Sequence, residues 1–406
     1  MNSQTIQSSA TSEQTANLAP QSRKRTHIPE LDGVRGVAVI LVLMLHGFAW
    51  SMQTEKWTGL ARWVELATRP GWMGVDLFFV LSGFLITGIL LDSAGKPRYF
   101  RNFYARRALR ILPLYYAILI LIAICYRGAH DYVFLSIFYL SNMAPIFGVA
   151  VYYGPLWSLS VEEHFYLLWP WLISRLKTRH IWVLAAGVCV IEPILRGIAY
   201  FEGWSVAEYS WFRFDGLAAG ALLALFLRSA WYSDKRLWNL GLSCLAGAAI
   251  LAVGGLPFGI YTRKRLAGDA LLFTFCAVLF TGLMAVVLGK RIHLVNILMR
   301  SRVLRRCGEL SYFLYIAHWL IFYGWDSMIG KYPGEIVAHL GRFGALCLRA
   351  LCVYAVCFGL AELSRCCFEG PLLGLKRYFA YSSTHDRSLS GRSLTATASP
   401  EASEAC

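Results

Sequence analysis

The sequence predicts an all-α polytopic membrane protein with about ten transmembrane helices. Of its 406 residues, 57% are hydrophobic and 16% charged, against roughly 45–50% apolar and about 25% charged in soluble domains. The apolar residues fall in runs approaching the ~20 residues that cross a bilayer as a helix. The net charge of +15 is shared unevenly between alternate loops, as expected when Lys and Arg gather on the cytoplasmic side. A disordered chain, a fibrous protein and an ordinary soluble enzyme are excluded. The basic excess follows the membrane and calls for no nucleic acid.

The elements follow in order. Residues 1–27 are polar and carry the basic run Arg23-Lys24-Arg25, and the tail 371–406 is mostly polar, rich in Ser, Thr and Ala from residue 380. Both read as disordered tails, and no signal peptide is evident. Residues 28–370 form the membrane domain, with spans near 34–50, 72–91, 109–126, 157–174, 181–200, 211–227, 237–253, 269–289, 310–328 and 343–364. The stretch 132–147 is apolar but carries Ser141, Asn142 and Pro145. If it does not span, both termini are cytoplasmic and most basic residues fall in inside loops, six of them from Lys96 to Arg110 and six from Lys290 to Arg306. If it spans, every later loop flips and the asymmetry is lost. It is therefore expected as an outer-side or re-entrant helix, with Arg263-Lys264-Arg265 outside. Eleven cysteines, an odd count with no CxxC pair, read as small packing residues rather than a disulfide framework or metal site.

Ionisable groups at membrane depth are functional candidates because they are costly there. Arg35 and His46 in the first span share a helix face about 16 Å apart along the axis. Arg35 then sits at the cytoplasmic edge and His46 in the outer half. Asp76 enters the second span from outside, with Ser82 further in; the plainer role for both is helix packing. The loop into the third span holds Arg107 and Arg110 on one helical face. They are either topogenic cations beside lipid headgroups or a phosphate-binding patch. Glu162 and Glu163 are adjacent in the fourth span and diverge by about 100°, so at most one can face His46. His164 is a further possible partner. Arg213 and Asp215 mark the outer mouth of the sixth span, Glu192 and Arg196 read as an internal ion pair, and His318 lies near mid-membrane. A His with a carboxylate is general-base equipment, and a cationic inner face suits a cytoplasmic phosphate-bearing donor.

The segments LDGVRGVAVILVLMLHGF, GVDLFFVLSGFLITGIL, FYARRALRILPLYY, LWSLSVEEHFYLLWP, RFDGLAAGALLA and LSYFLYIAHW, in that order, resemble the acyltransferase-3 family of integral membrane O-acyltransferases. The likeness covers about residues 28–370. The family's Arg-x10-His pattern falls on Arg35 and His46, its Arg-x-x-Arg on Arg107 and Arg110, its Glu on Glu162 and its late His on His318. Many members carry an additional SGNH hydrolase-like domain. This sequence ends soon after the last span, and none is expected.

The resemblance implies that acyl-coenzyme A, acetyl-coenzyme A in the first instance, is a donor substrate rather than a tightly bound cofactor. Arg35, Arg107 and Arg110 would hold its phosphates. His46 would act as general base on a hydroxyl of a carbohydrate or lipid-linked sugar, either directly or through an acyl-histidine. Glu162 would orient the imidazole, with Asp76, Ser82, Glu163, Arg213, Asp215 and His318 binding substrate or supporting the site. No metal is expected. The setting implied is modification of cell-surface or secreted glycans at a bacterial cytoplasmic (inner) membrane. The alternative is a transporter or flippase for a glycolipid or acylated metabolite.

Overall fold

The computed structural model describes residues 28–53 and 55–379. Among them the regular structure is entirely helical. That is what a bilayer demands of a single chain, because a helix satisfies its own backbone hydrogen bonds where no water can. The principal helices are α1 (Pro29–Met44), α2 (Gly59–Thr68), α3 (Met73–Ser93), α4 (Tyr99–Cys125), α5 (His130–Ile137), α6 (Leu156–Arg175), α7 (Thr178–Phe201), α8 (Phe214–Phe226), α9 (Asp234–Gly254), α10 (Leu266–Gly289), α11 (His293–Met299), α12 (Arg302–Glu309), α13 (Ser311–Met328), α14 (Gly334–Ser364) and α15 (Gly370–Gly374).

Each predicted span falls on one of these helices. Seven described helices are long and apolar enough to cross a membrane. The spans outside that set are α6, α8 and α13. At 13 residues α8 is short, whereas α6 and α13 are less apolar because they carry Ser, Glu, His and Tyr inside the bundle. The stretch 132–147 falls on α5 and a short 3₁₀ helix, Ser141–Phe147, with Tyr139 between them at φ 59°. An eight-residue helix is about 12 Å long, well short of a ~30 Å hydrocarbon core. The last predicted span, 343–364, begins just after a break at Gly341, φ 69°.

Two boundaries differ from expectation. Helical structure continues past Gly370 through α15 and a final turn at Leu375–Phe379; the remainder of both predicted tails lies outside the described residues. The third span starts at Tyr99 rather than near 109. Arg107 and Arg110 therefore sit about 12 and 16 Å along the helix rather than in a loop.

A tight seam of the bundle joins α3 to α8. A Cβ on Gly83 would run into the Leu217 carbonyl, and one on Gly220 into the Val80 carbonyl. Bare glycine on each side lets two backbones touch, the small-residue packing typical of membrane helices. This seam carries Asp76 on α3 to the Arg213 turn before α8. Replacing Gly220 with Val is expected to cost about 1–3 kcal/mol by overpacking, read as a lower unfolding midpoint of the detergent-purified protein. An unchanged midpoint would mean that the seam is not close-packed.

Candidate active site

Two cavities lie end to end in the bundle. The first encloses about 170 Å³. Arg35 from α1, Ser82 from α3, Arg107 and Arg110 from α4, and Glu162 from α6 all line it. The sequence-predicted phosphate ligands thus converge on one space. Arg35 is paired with Asp32 at 2.8 Å. Arg107 and Arg110 have no carboxylate partner among the described residues; Arg107 lies over the Tyr166 ring, 3.8 Å from its centroid. Two half-buried guanidinium groups that no carboxylate bonds directly, with Glu162 on the same cavity wall, suit an anion, since guanidinium groups pair well with phosphate oxygens. Lys376, on the final turn, stands in the field of Arg35, Arg106, Arg107 and Arg110.

The second cavity encloses about 350 Å³, and His46, Asp76, Arg213 and His318 border it. His46 sits in a π-helical turn, Leu45–Ala49, that continues α1. Such turns occur often at functional sites because the wider turn re-aims a side chain. The His46 Nδ1 is 2.8 Å from the Val42 carbonyl. A carbonyl can only accept, so Nδ1 donates and the neutral ring keeps its lone pair on Nε2. His318 is held the same way, its Nδ1 2.8 Å from the Tyr315 carbonyl and its buried Nε2 without a hydrogen-bond partner. The two imidazole centroids are 4.8 Å apart, and Trp50 and Trp319 stand 5.9 and 5.1 Å from His46. Aromatic faces around a basic nitrogen suit a ligand with both apolar and hydroxylated edges.

The expected pairing of Glu162 with His46 is absent. Glu162 accepts hydrogen bonds from Ser82 (2.8 Å) and Tyr166 (2.9 Å) and belongs to the arginine cavity. It sits about 9 Å into α6 and faces the cavity that it shares with Arg35, while the Val42 carbonyl orients His46. Glu163 borders neither cavity, and its Oε1 is buried without a partner. His164 meets Ser210 at 2.6 Å rather than His46.

Asp76 and Arg213 form a buried pair at 2.6 Å on the wall of the histidine cavity. Arg213 also stacks on Phe273, 3.7 Å from the centroid. Asp215 is packed elsewhere. It binds the fully buried Arg196 at 2.8 Å, with Glu192 completing that pair at 3.3 Å. The expected Glu192–Arg196 pair is present, and Asp215 belongs to this structural network rather than to a cavity. Sequence reading missed Ser158, Tyr166, Tyr315 and the tryptophans. It noted Arg263 only as an outside cation, yet Arg263 borders the histidine cavity.

The model of the acyltransferase-3 family, described as an acyltransferase domain, matches residues 28–362. The chain belongs to this family. The peptidoglycan O-acetyltransferase OatA of Listeria monocytogenes is 31% identical over 208 residues, 44% of this chain and 30% of that protein. A Bacillus subtilis protein provisionally named a peptidoglycan O-acetyltransferase, YrhL, is 34% identical over 171 residues, 37% of this chain and 24% of that protein. The chain thus spans less than a third of either relative's length. No solved structure matches. Membership places the chain among acyltransferase domains, and its long apolar helices give it an integral membrane body.

The Asp76–Arg213 pair yields a stability test. Asp76→Asn leaves a buried guanidinium uncompensated and is expected to cost about 3–5 kcal/mol. Replacing both partners, Asp76→Leu with Arg213→Met, is expected to recover most of that loss. Unfolding of the purified variants in detergent measures both; equal destabilisation by single and double variants would contradict the pairing.

Proposed function

We propose that this acyltransferase moves an acetyl group from cytoplasmic acetyl-coenzyme A to a hydroxyl of a cell-surface carbohydrate. The observation that carries the reading is the end-to-end pair of cavities, one closing on two unpaired guanidinium groups and the other on the free Nε2 of His46. The likeness to peptidoglycan O-acetyltransferases supports a cell-wall sugar as acceptor.

In this reading the chain crosses the membrane ten times with both termini in the cytoplasm of a bacterial cell. The arginine cavity opens inward and the histidine cavity outward. Arg107 and Arg110 hold coenzyme A phosphates, with Arg35 beside them. The pantetheine arm extends past Ser82 and Glu162, and the thioester carbonyl arrives beside His46. The acceptor hydroxyl gives its proton to His46 Nε2 as its oxygen bonds to the carbonyl carbon. The carbon–sulfur bond breaks and the thiolate leaves toward the cytoplasm, taking up a proton as free coenzyme A. Val42 keeps the required tautomer, the role the third member plays in a hydrolase triad. Glu162 acts at one remove. Through Tyr166 it holds the ring on which Arg107 rests.

Reconstituted protein supplied with acetyl-coenzyme A and cell-wall sugar fragments is expected to give an acetyl ester seen by mass spectrometry. His46→Ala should reduce the rate by about 10²–10⁴-fold, the usual worth of a general base. Ester formation at the normal rate would remove His46 from the mechanism. Arg107→Ala should raise KM for acetyl-coenzyme A by roughly 10–100-fold, the loss of a charge-assisted hydrogen bond of about 1.5–3 kcal/mol, while KM for the sugar stays put. An unaltered coenzyme KM would place its phosphates elsewhere.

A further inference from the structure

The two cavities meet at a shared boundary. Tyr315 and Val75 border both, so the same two side chains form the wall between them. Tyr315 is buried and comes from α13, one turn before His318. Its hydroxyl is 2.5 Å from the Ser158 hydroxyl of α6, and its ring meets Phe78 of α3 edge-on at 6.0 Å between centroids. Ser158 lies four residues before Glu162 on α6, and both border the arginine cavity. The backbone beside Tyr315 is fixed as well, because Tyr153 donates to the Ile316 carbonyl at 2.6 Å. A swing of the Tyr315 side chain breaks the Ser158 bond and lifts the ring off Phe78 and His318, while the backbone of α13 stays held by Tyr153.

The proposed reaction makes this wall consequential. A thioester must pass it to reach His46, yet the base that activates a sugar hydroxyl would activate water equally well. We propose that Tyr315 determines reaction specificity: latched to Ser158 it withholds the thioester from water in the histidine cavity, and it swings aside for transfer. This rests on the acetyl-coenzyme A reading above. Tyr315 is a positioning residue here, acting by exclusion and forming no bond to the substrate. If the wall is removed, water replaces the sugar: its oxygen bonds to the carbonyl carbon, His46 takes its proton, the carbon–sulfur bond breaks, and acetate and free coenzyme A result.

The test follows free thiol and sugar ester together in reconstituted protein, with and without sugar acceptor. The wild type is expected to release thiol only when acceptor is present, one for each ester. Tyr315→Ala should release thiol without acceptor, raising the ratio of hydrolysis to transfer at least about tenfold. Tyr315→Phe keeps the ring and loses the latch, so its ratio should fall between the two, and Ser158→Ala should match it. General damage to the fold lowers both products together and leaves the ratio unchanged. An unchanged ratio in Tyr315→Ala, or in both latch variants should Tyr315→Ala prove unstable, overturns the proposal. If the wild type itself consumes no acetyl-coenzyme A, the underlying reading fails, visibly before any variant is compared, and this proposal falls with it.

Discussion

A guanidinium inside a membrane protein must meet an anion, and that constraint sorts this molecule's arginines. Arg196 is met by Glu192 and Asp215, Arg213 by Asp76 and Arg349 by Asp326. These pairs tie helices together and are complete within the chain. Arg107 and Arg110 are different: they lie well inside α4, face a cavity and have no carboxylate partner among the described residues. In the proposed reading their partner is a phosphate of the donor, and the histidine cavity lies beyond the space that they line.

The fold was largely legible because hydropathy and charge asymmetry are both linear signals. The short 132–147 helices are an instance: the loop charges decide against a span before any packing is considered. Depth was harder. Six cations between Lys96 and Arg110 read as a loop, since charge counts against a membrane helix, whereas the helix already begins at Tyr99. Within the bundle, Arg107 and Arg110 are tolerated because they line a cavity rather than lipid.

The site divides in the same way. Arg35, His46, Arg107, Arg110 and His318 were readable from helical spacing and family likeness, and each lines a cavity. Glu162 was expected beside His46, and here it bonds Ser82 and Tyr166. Spacing gives its height along α6, while its direction depends on how α6 is rotated against α1 and α3, which no single helix records. Tyr166 and Tyr315 escaped notice because tyrosine in an apolar run reads as packing. The Tyr315 hydroxyl acquires meaning only from Ser158, far along the chain, and the Tyr166 hydroxyl from Glu162 one turn before it, whose direction the sequence does not give.

The account depends on donor and acceptor meeting from opposite sides of one bundle. Sealed vesicles holding the protein in one orientation test this directly. Isotope-labelled acetyl-coenzyme A is placed on the cytoplasmic face alone, with the sugar acceptor on the other face alone. The account predicts labelled ester on the sugar and free coenzyme A on the cytoplasmic face. Ester formed only when both substrates share one side would contradict it.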